Sequence, residues 1–213
     1  MEIPIKPRKQ PRQERSKITV DAILTATARI LTEEGYEKAS TNRIAEVAGV
    51  SIGSLYQYFP NKESLVAELL KKHSNDMVEI MESKLNSLTD VPLEIAVPEL
   101  VKAAIAAHAI NPKLHRVLNE EIPRIGHIKE VSKTGEQITK MLRVYLETWR
   151  DQIHPQNLNL TAFILERTVE SLSHAAVIEY PENLLNGELE QEVSKLLLLY
   201  LVGVETSRNN IET

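Results

Sequence analysis

Residues 41–59, TNRIAEVAGVSIGSLYQYF, are the stretch that decides the fold. Ser40 or Thr41 can begin a short helix, because an N-cap hydroxyl accepts a hydrogen bond from a free backbone N–H. Gly49 ends that helix, since the turn that follows needs a residue that tolerates positive φ. Ser51 can then cap a second short helix. Two short helices joined by such a turn predict a helix-turn-helix.

The N-terminal end of the second short helix is narrow and partly polar. It is formed by Ile52, Gly53 and Ser54, and a helix that enters the major groove needs a face without bulk and with hydrogen-bonding groups. The groups that can reach phosphates or base edges from the next turn belong to Tyr56, Gln57 and Tyr58. A small bundle core is the alternative interpretation, which accounts for Tyr56 and Phe59 but not for the narrow end.

Nearly the whole chain has the pattern of an all-α protein. Glycine is scarce, with seven residues, and no stretch alternates apolar and polar residues for long enough to predict a strand. Besides the two short helices, we predict helices at residues 17–34, 61–86, 93–110, 112–125, 127–153, 158–179 and 187–206. Pro98 and Pro123 lie inside apolar patterns, so we expect kinks or breaks there.

Charge is distributed unevenly along the chain. Residues 1–72 contain 12 Lys and Arg against 9 Asp and Glu, a net charge of +3, and residues 73–213 contain 13 against 21, a net charge of -8. Residues 1–15 also contain three prolines and predict a flexible basic arm. A basic end on an acidic body is typical of a protein whose one end meets a polyanion, although a solvated tail is the alternative.

Disulfides and thiolate chemistry are excluded because the chain has no cysteine. The basic N-terminus has no apolar segment behind it and is not a secretory signal. The longest apolar run, LLLLYLVGV at residues 196–204, is shorter than the roughly 20 residues that a bilayer span requires. We therefore expect a cytoplasmic protein without a membrane partner.

The run T-x-x-I-A-E-V-A-G-V-S-x-G-S-L-Y-x-Y-F-x-N-K-E-S-L, residues 41–65, resembles the DNA-binding signature of the TetR (tetracycline-repressor-like) family. The resemblance covers roughly residues 18–70. It implies a three-helix helix-turn-helix domain, joined by a long helix to a helical body that dimerises and often holds a ligand. The expected domains are the arm at 1–15, the DNA-binding domain at 16–62, and an effector-binding and dimerisation domain at 63–213.

Matched position by position, the resemblance implies two sets of DNA contacts. The expected phosphate contacts are Thr41, Tyr56, Tyr58 and Lys62. The expected base-reading residues are Arg43, Ile52, Ser54 and Gln57. Tyr58 occupies a position where many members carry histidine, and either side chain can donate to a phosphate.

The body offers a candidate dimer surface. Residues 193–204 are apolar almost all round, so a helix there must be covered on more than one side. Together with residues 160–178 it would form a four-helix interface across a two-fold axis. The expected interface residues are Phe163, Leu172, Val193, Leu197, Tyr200 and Leu201. The alternative is that both helices are ordinary core helices of a monomer.

An apolar effector pocket is expected in the middle of the body. Its candidate lining residues are His108, Met141, Tyr145 and Trp149, which alternatively just fill the core. The histidines at 108, 115, 127 and 174 are scattered in the sequence, so we expect no metal and no cofactor. Glu120 and Glu121 point in different directions on a helix and do not form a catalytic carboxylate pair.

The sequence thus predicts a homodimeric, sequence-specific DNA-binding transcriptional regulator. The expected form is a repressor that a small hydrophobic ligand releases from a double-stranded operator. A ligand-independent regulator or an activator with the same DNA-binding domain is the alternative. An α-helical enzyme or a protein-binding module is the interpretation that the sequence favours least, because it contains no phosphate loop, nucleophile elbow or metal-ligand spacing.

Overall fold

The computed structural model describes residues 7–8, 13–125, 128–180 and 186–203. Within these ranges the chain is helical and contains no strand, which confirms the all-α prediction. The helices are α1 (Glu14–Glu33), α2 (Thr41–Val47), α3 (Ile52–Tyr58), α4 (Lys62–Ser87), α5 (Leu93–Ala109), α6 (Pro112–Ile125), α7 (Ile128–Glu147), α8 (Leu158–Glu179) and α9 (Glu188–Val202), with a short 3-10 helix at Arg150–Gln152. None of the described helices is both long and apolar enough to cross a bilayer.

Local chemistry sets the boundaries of the short helices. Ser40, rather than Thr41, is the N-cap of α2, and its side chain accepts a hydrogen bond from the Arg43 backbone N–H. Ser51 caps α3 in the same way. Between them Gly49 has a φ of +66°, the left-handed conformation that the turn requires. The cap and turn residues predicted from the sequence therefore perform those tasks.

The first compact unit comprises Met1–Val78 and Ile110–Thr134. Its core forms where α1, α2 and α3 pack together with parts of α4 and α6. The fully buried members include Ile23, Ile30, Leu31, Ile44, Leu55, Phe59, Leu65, Val66 and Leu118. This core fixes α3 from behind, because Leu55 and Phe59 leave no gap between the helix and the rest of the unit.

The second compact unit comprises Glu79–Ala109 and Gly135–Thr213. In it α5 packs against both α8 and α9. The alanines of α5 that are buried, Ala96, Ala104 and Ala107, are small enough to let neighbouring helices approach closely. Helix α5 continues through Pro98, and α6 of the first unit continues through Pro123, so neither helix breaks at its proline. The alternative of a kink at these prolines stays a prediction.

The two compact units divide the chain at other residues than the expected domain boundaries. Residues 110–134 belong to the first unit, although the sequence placed everything after residue 62 in one body. Helices α4 and α7 contribute residues to both units. The boundaries expected from the sequence stay a prediction. Most of the expected arm and the end of the helix predicted at 187–206 lie outside the described residues.

Candidate functional site

Helix α3 presents one face to solvent. Ile52 and Tyr56 are each 38% exposed, and Gly53 and Gln57 are exposed between and beside them. Leu55, on the opposite face, is fully buried. The outward face therefore consists of the narrow N-terminal end and one polar turn, the arrangement expected of a helix that enters a groove.

Hydroxyl groups form hydrogen-bond contacts along this face of α3. The Thr41 hydroxyl at the start of α2 lies 3.0 Å from the Tyr56 hydroxyl of α3. The Ser51 hydroxyl accepts from the Ser54 backbone N–H at 3.0 Å and lies 2.8 Å from the Ser54 hydroxyl. Thr41 and Tyr56, both expected to contact phosphate, are thus adjacent. Ser54, expected to read a base, is half-buried, and its hydroxyl contacts the N-cap residue Ser51.

Arg43 is held by two acidic side chains. Its guanidinium lies 3.1 Å from the Glu46 carboxylate and 3.2 Å from the Glu34 carboxylate. The hydrogen bond to Glu46, and then those to Glu34, raise the pKa of Arg43. These bonds use three of the five N–H groups of the guanidinium, and the base-reading role of Arg43 stays a prediction.

Lys62 and Tyr58 occupy different environments. The Lys62 ammonium donates to the Tyr36 carbonyl at 3.0 Å and lies 3.8 Å from the centre of the Tyr36 ring, which fixes a cation just after α3. Tyr58 is 7% exposed and belongs to the core of the first unit. Little of Tyr58 is therefore open to a phosphate, and its expected contact stays a prediction.

Arg8 contacts the C-terminal end of α3, and the sequence analysis did not predict this contact. Its backbone N–H donates to the Tyr58 carbonyl at 2.7 Å, and its guanidinium lies 3.4 Å from the Tyr56 carbonyl. These carbonyls belong to the last turn of α3, which has no intrahelical donors left and favours a cation. The basic composition of the arm was the available signal, but composition could not place one arginine at this helix end.

The four expected pocket residues have different surroundings in the second unit. His108 and Tyr145 are buried, and Met141 and Trp149 are half-buried. The Tyr145 hydroxyl donates to the Leu88 carbonyl at 3.1 Å, and burial raises its pKa. A polar cleft of about 510 Å³ in the same unit is lined by Arg143, Glu147, Arg150, Gln156, Asn157, Leu158 and Asn159. None of the four expected residues lines that cleft.

Two of the four histidines that the sequence analysis considered scattered meet in the second unit. His108 of α5 lies 3.2 Å from one Glu170 carboxylate oxygen, and His174 lies 2.9 Å from the other. The interpretation of isolated histidines is therefore wrong for this pair. The sequence does contain a signal, since Glu170 and His174 are four residues apart on one helix face. His127 lies outside the described residues.

The carboxylates of α8 respond differently to their surroundings. Burial alone would raise the pKa of Glu170, but hydrogen bonds from His108 and His174, together with their charge, hold it below its ordinary value. Burial raises the pKa of Glu166, which the neighbouring Arg167 only partly opposes. Helix α8 therefore carries one stabilised and one destabilised carboxylate in the interior of the unit.

The expected dimer residues divide into two groups. Phe163 and Leu172 of α8 are exposed and Tyr200 is half-buried. Val193, Leu197 and Leu201 are buried within the chain itself, so they offer no surface to a second copy, contrary to the expectation for these three. The large apolar residues of α9 that are exposed are Leu196 and Leu199.

Two domain families match the chain. Residues 92–201 match the family described as tetracyclin repressor-like, C-terminal domain, which alone covers just over half of the 213 residues. The chain belongs to the TetR family. Residues 23–69 also match the family described as bacterial regulatory proteins, tetR family. The predicted family is confirmed.

Relatives of this TetR-family chain agree with the assignment. The fatty acid metabolism regulator protein of Bacillus subtilis is 37% identical over 60 residues, which cover 28% of this chain and 31% of the relative. The chain spans about a third of the length of the first curated relatives that it matches. Another B. subtilis regulator, YhgD, is 27% identical over 84% of this chain and 93% of its own length.

Solved structures share the fold. A TetR-family regulator from Mesorhizobium loti superposes with a TM-score of 0.76 at 20% identity, over 89% of this chain and 100% of that one. The triclosan complex of SmeT, the repressor of a Stenotrophomonas maltophilia efflux pump, gives 0.65 at 20% identity, over 86% of this chain and 91% of that one. At these identities the likeness concerns the fold alone.

Proposed function

We propose that this TetR-family protein is a homodimeric transcriptional repressor that reads an operator through α3 of each copy. The observation that carries the proposal is the outward face of α3, where Ile52, Tyr56 and Gln57 are exposed while Leu55 and Phe59 anchor the helix from behind. A rigidly anchored helix with a narrow, polar outer face can enter the major groove without rearrangement. The Thr41 hydroxyl and the Lys62 ammonium would contact backbone phosphates by exchanging their present partners, Tyr56 and Tyr36.

The exposed apolar residues of α8 and α9 support the homodimer. Phe163 and Leu172 on α8 and Leu196 and Leu199 on α9 are at least a third exposed. Each fully buried leucine or phenylalanine contributes about 1.5–3 kcal/mol, so pairing these faces across a two-fold axis would stabilise a dimer. Two copies would then present two α3 helices to two half-sites of one duplex.

DNA selection tests the DNA-binding part of the proposal. A duplex selected by the full chain from a random-sequence pool would be titrated by fluorescence anisotropy at several salt concentrations. We expect Gln57→Ala to weaken binding by about 1–3 kcal/mol at one position of each half-site. The control is Gln191→Ala, which removes an exposed amide from α9. Equal affinity of both variants would contradict base reading by α3.

The proposal includes a small hydrophobic ligand as the effector that releases the protein from DNA. The fatty acid regulator and the SmeT–triclosan complex are relatives whose names mention hydrophobic compounds. Half-buried Trp149 offers aromatic surface in the body of this chain. Trp149 is the only tryptophan, so its fluorescence reports on that location alone. We expect triclosan or a long-chain fatty acid to change this emission and to release the selected duplex. If neither compound does so, a ligand-independent regulator is favoured.

The direction of regulation requires a transcription assay. A reporter placed behind the selected duplex would be compared with and without the protein. Transcription that falls when the protein is present supports a repressor. Transcription that rises supports an activator with the same DNA-binding domain and overturns the repressor assignment.

A further inference from the structure

Three side chains from two helices converge inside the second unit. His108 of α5 is 1% exposed, and Glu170 and His174 lie one helical turn apart on α8. The His108 and His174 Nε2 atoms approach the two oxygens of Glu170 at 3.2 and 2.9 Å. One ring nitrogen of His108 and one of His174 lie within 4.8 Å of each other. The proposed contacts of α3 with DNA make no use of this cluster.

The two ring nitrogens of His108 both face oxygen atoms that accept hydrogen bonds. His108 Nδ1 lies 2.8 Å from the Ala104 carbonyl oxygen, which only accepts, so Nδ1 must carry a hydrogen. In the neutral ring Nε2 then directs a lone pair at a Glu170 oxygen, which is also an acceptor. Two facing acceptors in a buried environment are unfavourable unless a second proton or a metal cation lies between them.

We propose that His108, Glu170 and His174 bind a divalent transition-metal ion of the zinc type. Two imidazole nitrogens and one carboxylate oxygen form a donor set that Zn²⁺ accepts at about 2.0–2.2 Å, whereas Mg²⁺ and Ca²⁺ prefer oxygen alone. The two ring nitrogens lie 3.2 and 2.9 Å from the two different oxygens of Glu170. These distances are comparable with the roughly 3.3 Å between neighbouring ligand atoms of a tetrahedral site. A fourth position remains for water or another ligand.

The surroundings of the cluster agree with a metal site. A histidine that binds a metal usually donates its other ring N–H to a carbonyl or carboxylate, as His108 does to Ala104. Ser173, which neighbours Glu170 and His174 on α8, is fully buried, and its hydroxyl has no hydrogen-bond partner among the described residues. Leaving a buried hydroxyl without a hydrogen bond is unfavourable, and a water bound to the metal is one group that could satisfy it.

Metal titration of the chelator-treated full chain tests the proposal. We expect one Co²⁺ per chain, seen as visible d–d absorption, and its displacement by Zn²⁺. Glu170→Gln and His174→Ala should lower the affinity for Zn²⁺ by more than about 100-fold, beyond the 10- to 100-fold effect of losing an outer partner. The control is His154→Gln, since His154 is exposed in the same unit and lies outside the cluster.

Two results would overturn the proposal. The first is a folded wild-type chain that binds neither ion at one per chain. The second is an unchanged affinity in the two cluster variants. If a variant fails to fold by circular dichroism, imidazole NMR of the wild-type chain decides: Zn²⁺ should shift the His108 and His174 resonances and leave His154 unshifted, and the absence of those shifts would leave a hydrogen-bonded ion pair as the explanation.

Discussion

The hydroxyl pair of Thr41 and Tyr56 joins the two helices of the helix-turn-helix at its exposed edge. Both groups can exchange their mutual hydrogen bond for bonds to phosphate without leaving solvent, because Tyr56 is exposed. The pair therefore contributes little to folding and keeps two donors in position for DNA.

Removal of one hydroxyl from this pair should weaken DNA binding selectively. Tyr56→Phe keeps the ring and deletes the donor, and a hydrogen bond of about 0.5–1.5 kcal/mol corresponds to roughly 2- to 10-fold in affinity per half-site. Anisotropy titration with the selected duplex measures this loss. Tyr180→Phe, which changes an exposed tyrosine at the end of α8, should bind like the wild type. A loss of the same size in both variants would refute the role of Tyr56.

Glu166 should make stability depend on pH. Burial raises its pKa in the folded chain, so the folded state holds the proton more tightly than the unfolded state. Stability from this group is therefore lost as the pH rises from the ordinary glutamate value near ~4.3 through the raised folded pKa. Its ion pair with Arg167 compensates only in part, because the Arg167 side chain is 41% exposed and solvent screens the pair.

Replacement of Glu166 by glutamine removes this penalty. We expect Glu166→Gln to have a higher free energy of unfolding than the wild type at neutral pH, with the difference shrinking toward pH values below the ordinary glutamate pKa. Urea unfolding at a series of pH values measures both trends. The control Glu179→Gln, at an exposed position of α8, should follow the wild-type curve. A Glu166→Gln curve parallel to the wild type would argue against the raised pKa.

At the residue scale, the local roles of residues could be predicted from the sequence better than their burial and their long-range contacts. The capping roles of Ser40 and Ser51 follow from chemistry that acts within three residues, so they could be derived. The burial of Tyr58 and the meeting of His108 with Glu170 depend on residues far away in the sequence. Such long-range contacts cannot be derived from the spacing within a single helix.

The turn between α2 and α3 is the element on which the helix-turn-helix depends. Gly49 has a left-handed φ, and a Cβ added there would meet nothing within 4 Å. Gly49→Ala should therefore destabilise the protein by about 1–2 kcal/mol through backbone strain alone. Thermal and urea unfolding measure the change, and Gly49→Asn should lose less because asparagine tolerates this conformation.

Gly53 provides the matched control for this prediction. It lies inside α3, and the nearest atom to an added Cβ is the Ser51 hydroxyl at 3.8 Å. Gly53→Ala should keep or raise stability, by up to about 1 kcal/mol, because alanine is the better helix former. A destabilisation by Gly53→Ala equal to that of Gly49→Ala would contradict the assignment of the turn.

Helix α9 illustrates what periodicity leaves open. Its sequence is apolar almost all round, so the pattern predicted a covered helix but could not assign its faces. In the fold Val193, Leu197 and Leu201 form a buried stripe at four-residue spacing, while Leu196 and Leu199 stay exposed. Helix α9 packs against α5, and tertiary packing of this kind determines which face of the helix is buried. The continuation of α5 through Pro98 is likewise a case in which packing outweighs a local preference.

In the proposed dimer, the exposed face of α9 is needed for the two chains to associate. Leu199 is 51% exposed in the single chain, and a glutamate there would place two buried charges near the two-fold axis. Leu199→Glu should raise the dimer dissociation constant at least about tenfold, since each leucine contributes about 1.5–3 kcal/mol when buried. Sedimentation velocity measures the shift, with circular dichroism to confirm folding.

The matched control for the dimer is Ile95→Glu. Ile95 is an exposed apolar residue of α5 in the same unit, outside the proposed interface. This variant should remain dimeric and bind the selected duplex like the wild type. If the Ile95→Glu chain dissociates and the Leu199→Glu chain stays dimeric, the interface does not lie on α9 and the proposal is contradicted.

A hydroxyl-radical footprint of the wild-type chain on its selected duplex tests the account most directly. Two anchored α3 helices in a symmetric dimer should protect two segments of related sequence whose centres lie about 34–36 Å apart, or at another groove-matched separation. The protection should weaken when Gly53 at the narrow end of α3 is replaced by a bulky residue. Protection of a single segment by one chain, or protection without sequence preference, would contradict the account.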